Sequence, residues 1–483
     1  MAFFMMPFLI GELGDHWYGV WTVVGSLAAA YHLFDMGMAS AVTRYVSKAF
    51  GAGEDEQANQ VINTALLIYT CIAMVIIAVS FCASFATGWL FDIEQDRELV
   101  QLVVLIIGLS IAFEFPFNAL AGVASAKLKF HQVAAVRILI TILSALLNWH
   151  FVSSGHGILA MAIITFSTAR LSNLLYFLIC KRAFSGLRFG KRYVNRAMSK
   201  DLFGYSLWSF VIAIAYQMRN NVDNFVIAGF LSAASVTPYA IGLRLVDYLA
   251  QFLSQATNMF IPIFTAYHAK EDTKELNSKL LFITRLNLVL ALIAGGGLTI
   301  FGDAFITRWI GPDYDIAYWV MVILLTGRMI GFANHPLNSA LYAINKHKII
   351  AKLDVIEVAL NLALSLILVQ FYGLIGVALG TMIPLLLLRL CFLPAFACKA
   401  LNMPIQDYYL CMLRPVLVLC PLLYAAYLMV SSSQELESYA AIFSYASLMA
   451  MTTGLIGFKL SFSESEKQHL RKLLPSPKLN FLL

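Results

Sequence analysis

The residues most able to do chemistry here are polar groups set inside long apolar runs. The stretch Tyr216-Gln217-Met218-Arg219-Asn220-Asn221-Val222-Asp223-Asn224 interrupts one such run. In the next, Arg244, Asp247, Gln251, Gln255 and Asn258 follow one another at steps of three, four, four and three. Those steps put all five on one face of a helix. A charge at the bilayer centre costs about 2.5–3.5 kcal/mol on insertion scales, so such groups usually line a wet cavity or pair with one another. Two readings follow. Guanidinium groups at Arg219 and Arg244 fork phosphate oxygens well, so the two helices are expected to line a cavity that binds an anionic head group. Alternatively, Arg219 pairs with Asp223 and Arg244 with Asp247, holding the helices in register.

Other ionisable residues within apolar segments are Arg170, Arg328, Arg389, Asp35, Glu114, Asp354 and Glu357. Arg328 is deep enough to join the cavity. Glu114 and Asp35 are candidates for a titrating, ion-coupling role, although Glu114, just before Pro116, also fits a group that caps or pairs at a kink. Arg170 and Arg389 lie near basic helix ends, where long side chains snorkel, and Asp354 and Glu357 are expected to be solvated. The candidate cavity set is therefore Arg219, Asn220, Asp223, Arg244, Asp247, Gln251, Gln255 and Arg328.

Enzyme and cofactor motifs are not found. Gly295-Gly296-Gly297 sits within an apolar run and lacks the Lys-Ser/Thr of a phosphate-binding loop. The nine His and seven Cys residues form no metal-ligand pattern. No nucleophile-elbow motif occurs. The expectation is a non-enzyme with no catalytic residue, metal or cofactor.

The elements that hold these residues follow from composition. Of 483 residues, 60% are hydrophobic and only 12% charged, with a mean hydropathy of +0.78. Soluble domains run near 25% charged, so the chain reads as an integral membrane protein, and the net charge of +6 belongs to loops rather than to a nucleic-acid surface. Apolar runs of spanning length fall near 17–45, 62–90, 99–123, 132–152, 157–180, 203–230, 235–263, 280–301, 317–343, 353–371, 374–398, 412–431 and 438–460. Residues 1–10 form a partial first span, giving about fourteen.

Lys and Arg set the orientation. They crowd alternate loops, above all Lys181, Arg182, Arg188, Lys191, Arg192, Arg196 and Lys200, whereas the opposite loops hold only Arg97 and Arg308. Both termini are therefore expected on the cytoplasmic side.

An internal repeat is also visible. Pro116-Phe117-Asn118 precedes Lys127-Leu128-Lys129, and Pro336-Leu337-Asn338 precedes Lys346-His347-Lys348. Gly157-Ile158-Leu159-Ala160-Met161-Ala162 then matches Gly373-Leu374-Ile375-Gly376-Val377-Ala378. Six spans separate corresponding points, so the copies share an orientation, as in parallel-repeat transporters. The expected fold is all-α: two six-helix bundles related by a parallel repeat, plus two extra C-terminal helices. The expected divisions are an N-terminal bundle at 1–180, a basic linker at 181–202, a C-terminal bundle at 203–398, the extra helices at 399–461 and a basic tail at 462–483. Pro116, Pro262, Pro336 and Pro384 are expected to kink spans.

Several stretches resemble polysaccharide flippases. Tyr18-Gly19-Val20-Trp21, Leu33-Phe34-Asp35-Met36-Gly37-Met38 and Thr43-Arg44-Tyr45-Val46 are similar to their second span. Asp223 to Leu231 and Tyr239-Ala240-Ile241-Gly242-Leu243-Arg244-Leu245 are similar to their seventh and eighth. These are the O-antigen and exopolysaccharide flippases of the multidrug/oligosaccharidyl-lipid/polysaccharide exporter superfamily. The resemblance implies a central cationic cavity between two bundles and export of an undecaprenyl-pyrophosphate-linked oligosaccharide. It implies alternating access in a multi-pass protein of the bacterial inner membrane, with that glycolipid and membrane lipids as partners, alongside polysaccharide polymerase machinery. It also implies that Arg219 and Arg244 meet the pyrophosphate and acidic sugars. The rivals are an ion-coupled multidrug or cation antiporter of the same superfamily and a membrane glycan polymerase or ligase. The latter usually carries a large outer loop, and none is present.

Overall fold

The computed structural model describes the whole chain except residues 1, 36–37, 91–95, 128, 196, 200–213, 215–216, 220, 258–263, 265–266, 268–272, 345, 347, 432–435, 437, 465 and 468–483. The described residues are helices and short connections, and nine helical stretches among them are long and apolar enough to cross a membrane. Helices suit such a sequence because every backbone amide must find its partner within the segment once water is gone. The chain parts into two compact units, Met1–Thr237 and Pro238–Leu483.

The first unit opens with α1 (Ala2–Tyr31), bent at Gly14, whose φ of 75° suits glycine. A 3₁₀ turn at His32–Asp35 separates it from α2 (Met38–Ala52). The single span expected over 17–45 is thus broken. Asp35 ends the turn and accepts the Ala39 amide at 3.5 Å and the Tyr69 hydroxyl at 2.6 Å. A carboxylate that satisfies the first turn of a new helix interrupts the previous one. Next come α3 (Asp55–Leu90), α4 (Arg97–Ala126), α5 (Phe130–Ser153), α6 (Gly157–Ala183) and α7 (221–230). Helix α4 packs against α3 and α6, and α6 against α5.

After α6 the basic connector does not hang free. It lies extended along α3, held by side-chain amides. Asn59 donates to the Gly186 carbonyl at 2.8 Å and accepts the Arg188 amide at 2.8 Å. Asn63 donates to the Arg188 carbonyl at 2.8 Å and accepts the Gly190 amide at 3.0 Å. Thr64 takes the Asn195 amide at 3.0 Å. Four residues of helix rise about 6 Å, and two residues of extended chain about 6.6 Å. Asparagines four apart therefore meet every second residue of the connector, as a neighbouring strand would.

The second unit contains α8 (Ala233–Thr257), whose first residues belong to the first unit, then α9 (Thr273–Trp309), α10 (Asp315–Ala333) and α11 (His335–Ala343). After them come α12 (Lys348–Leu387), a π-helical turn at Leu388–Phe392, α13 (Leu393–Ala400), α14 (Ile405–Ser431) and α15 (Tyr439–Ser461). Helix α12 is a hairpin that reverses at Gly373 (φ 55°). Across it the Asn361 amide donates to Thr381 at 2.8 Å, and Ser365 lies against Gly380. Gly157, at the matching turn of the first unit, also has positive φ, 58°. This repeat position therefore needs glycine in both copies.

The kinks expected at proline are partly realised. Pro336 begins α11, Pro116 lies inside a continuous α4, Pro384 precedes the π turn, and Pro262 lies outside the described residues. The extra C-terminal helices α14 and α15 pack on α9. The three consecutive glycines of α9 make this possible. A Cβ at Gly295 would strike Met329 of α10 at 2.8 Å, one at Gly296 would strike Leu423 of α14 at 2.7 Å, and one at Gly297 would touch Met449 of α15 at 3.3 Å. Successive residues point about 100° apart around a helix, so one Gly-Gly-Gly run admits three neighbours.

Candidate functional site

The first polar stripe lies on α7 and the turn before it. Arg219 is half-buried, Asp223 and Asn224 are buried, and Asn220 lies outside the described residues. Asn224 donates to Ser26 Oγ at 2.8 Å, which ties α7 to α1. A further tie is the Thr237 hydroxyl, which donates to the Asp15 carbonyl at 2.7 Å just past the Gly14 bend. A side chain at Gly19 would land on the Ala233 carbonyl oxygen, so the small residue there sets how closely α1 approaches the start of α8. The stripe thus runs up to a helix tied to α1 by the Asn224–Ser26 hydrogen bond, and α8 is tied to α1 through Thr237.

The second stripe lies on α8. Arg244 and Gln251 are exposed and Asp247 is half-buried; Gln255 is helical, and Asn258 lies outside the described residues. Gly242 is the contact point with α10: a Cβ there would meet the Ala317 oxygen at 2.6 Å and the Met321 nitrogen at 2.9 Å. Asp247 stands five residues after Gly242 on α8, and Arg328 seven after Met321 on α10. Arg328 and Arg244 both lie within electrostatic reach of the Asp247 carboxylate. The second unit therefore sets two cations against one anion in this region. Such a group offers guanidinium donors to an incoming acceptor while keeping a counter-charge nearby.

The remaining candidates have different surroundings. Asp35 is engaged by Tyr69 and by the start of α2. Glu114 is half-buried and lies within electrostatic reach of Arg170. Arg170 does not snorkel. It donates to the Ser110 carbonyl at 2.5 Å, with its guanidinium 5.4 Å from the Phe113 ring centre and 5.1 Å from that of Phe166. Contact with an aromatic face stabilises a cation away from water.

Arg389, Asp354 and Glu357 correct the expectation most. Arg389 is 5% exposed and Glu357 3%. One guanidinium nitrogen donates to Asp354 at 2.5 Å and to Glu357 at 2.8 Å. The Arg389 carbonyl accepts from Asn334 at 3.0 Å, and Tyr408 donates to the other side of that amide. Neither snorkelling nor solvation describes this network. Its sequence signal was the spacing of Asp354 and Glu357, three apart and so on one helical face, opposite the sole basic residue of 374–398.

Comparison with known proteins places these features. Residues 16–317 match the family described as polysaccharide biosynthesis protein. The chain is 25% identical over 410 residues to the uncharacterized membrane protein EpsK of Bacillus subtilis, covering 83% of this chain and 80% of EpsK. It is 23% identical over 394 residues to a Shigella flexneri protein named "Putative O-antigen transporter", covering 79% of this chain and 90% of that one. Among solved structures, the lipid II flippase MurJ in an inward closed conformation superposes with a TM-score of 0.66 at 18% identity, over 95% of this chain and 98% of that one. That likeness shows the fold, an all-helical architecture.

Proposed function

The chain belongs to the polysaccharide biosynthesis protein family, and on that premise we propose that it is a flippase for a lipid-linked oligosaccharide. It is a multi-pass membrane transporter and not an enzyme. The observation that carries the reading is the similarity to the Shigella flexneri protein named "Putative O-antigen transporter", across nine-tenths of that protein. The Arg244–Asp247–Arg328 cluster supports it chemically.

The cargo is a sugar head joined through pyrophosphate to an isoprenoid, of the undecaprenyl class. The tail stays in lipid while the head crosses. Losing its hydration would cost the head several kcal/mol per ionised oxygen pair, so the path must supply donors. Arg219, Arg244 and Arg328 meet the phosphate oxygens, and Asn220, Gln251 and Gln255 the sugar hydroxyls. Asp223 and Asp247 keep the guanidinium groups oriented and release the product by competing for them. Alternating access at constant topology carries the head from the inner to the outer leaflet of a bacterial inner membrane. Both termini are cytoplasmic under the basic-loop rule. Glu114 and Asp35 are the candidates for coupling to an ion gradient, and polysaccharide polymerase machinery receives the product.

The test is complementation of a strain lacking the chain, read as surface glycan with membrane insertion measured in parallel. Arg244→Ala and Arg219→Ala are expected to reduce surface glycan at least tenfold, the effect of one charge-assisted contact, at unchanged insertion. Full surface glycan from both variants would remove these arginines from the path.

A further inference from the structure

The first unit holds a cavity lined by no residue of either polar stripe. A cavity of about 470 Å³ opens between α3, α4 and α6, walled by Leu66, Pro116, Leu120, Leu174 and Phe177. The volume falls within the range of small-molecule sites, roughly 300–1,000 Å³. Phe189 of the strapped connector closes one side, its ring stacked on Phe177 at 6.3 Å. Two donors point to an occupant. Asn173 lines the cavity and is 4% exposed, yet its Nδ2 has no hydrogen-bond partner among the described residues. The Nε of Arg170, which also lines it, is likewise buried and without a partner among them. Buried donors in apolar walls call for an acceptor supplied from outside.

The position of the cavity narrows the chemistry. Residues 55–64 of α3 are polar in large part, and the apolar run starts at Ala65, so Leu66 lies just inside the oil boundary. The connector carrying Arg188 is bonded to Asn59 and Asn63, one turn beyond. Exposed cations cluster there: Lys181, Arg182, Arg188, Lys191 and Arg192, with Phe189 52% exposed among them. Asn173 is one helical turn, about 6 Å, deeper than Phe177. Basic mouth, aromatic rim and buried donor follow one another in the order of phosphate, glycerol backbone and ester carbonyl, and apolar side chains wall the shaft around them.

We propose that this cavity holds one acidic phospholipid of the basic-side leaflet, its phosphate on Arg188 and the neighbouring cations, an ester carbonyl on Asn173 and an acyl chain along Leu66, Leu120, Leu174 and Phe177. Basic pockets between membrane helices bind anionic head groups in this way. The site is separate from the cargo path, and its occupancy is independent of which glycan is carried.

The experiment uses the full chain in phosphatidylcholine vesicles with a photoreactive acyl-chain probe, either phosphatidylglycerol or phosphatidylcholine, and maps labelled peptides. The phosphatidylglycerol probe is expected to label segments 116–120 and 170–190 preferentially, with displacement by unlabelled phosphatidylglycerol and not by phosphatidylcholine. Asn173→Leu should lower that labelling about fivefold, the worth of one hydrogen bond. Arg188→Gln, an exposed change that leaves the packing intact, should reduce labelling by the phosphatidylglycerol probe while leaving labelling by the phosphatidylcholine probe nearly unchanged. Equal labelling of these segments by the two probes, or labelling indifferent to both substitutions, would overturn the proposal. Because transport is not the readout, this outcome is distinct from failure of the flippase reading.

Discussion

Arg170 in the first unit and Arg389 in the second are each a basic residue on the helix leg that follows the matched glycine turn, thirteen residues after Gly157 and sixteen after Gly373. Their surroundings nevertheless differ. Arg389 holds two carboxylates on the facing leg of its hairpin. Arg170 has a backbone carbonyl and two aromatic rings, with Glu114 acting on it electrostatically. The acidic residue has moved as well. Glu114 stands two before Pro116; at the same place before Pro336 stands Asn334, while the acids sit instead on α12, whose counterpart α5 has none. One backbone plan has therefore been given a locked charge centre in one copy and a lightly held cation in the other. The cation beside the open cavity is the lightly held one.

Substitutions can break this contrast or sharpen it. The largest expected effect is at Arg389→Ala, which leaves the buried Glu357 and the partly exposed Asp354 without their cation; breaking such a network costs about 3–5 kcal/mol. The measurement is the melting temperature of detergent-purified protein. Adding Asp354→Asn and Glu357→Gln to that variant should recover much of the loss. No recovery would mean that Arg389 acts through packing rather than charge.

Next in size is Arg170→Met, which keeps the stem and removes the head. A charge-assisted bond to one carbonyl plus ring contact is worth about 1.5–3 kcal/mol, so the melting temperature should fall by clearly less than for Arg389. An equal fall would erase the asymmetry. Smaller still is Asp354→Asn alone. Asp354 is partly exposed and Glu357 still neutralises Arg389, so at most about 1 kcal/mol should be lost, within the range for partly exposed pairs. Gly242→Ala probes the α8–α10 contact that brings Arg244 and Arg328 to Asp247. Its overlap with backbone atoms is an overpacking change of about 1–3 kcal/mol, and it should reduce glycan export beyond any loss of insertion.

Much of the architecture could be read from hydropathy and from the Pro-x-Asn and Gly-containing repeats. The two legs meeting at Gly373 and the helical register of Arg244, Asp247 and Gln251 were among the legible parts. The break at His32–Asp35 was not, because Leu33-Phe34-Asp35 is apolar enough to continue a span; Asp35 acts through Tyr69, thirty-four residues away. The Arg389 network was missed for a similar reason. Acids near a helix end read as solvated, and only the fold of the hairpin and the π turn brings them around a buried guanidinium. Gly295-Gly296-Gly297 lies within a helix, and its service to three neighbouring helices required those neighbours to be seen.

The asparagine ladder on α3 carries one more consequence. It grips only main-chain amides and carbonyls of residues 186–190, so it dictates where that stretch lies without specifying what it displays. Side chains projecting from the strapped stretch can be exchanged like labels on a rail, provided the two amides beneath remain. A variant carrying acidic or aliphatic residues at 187–189 would keep the same track and present a different face to whatever molecule gathers beside it.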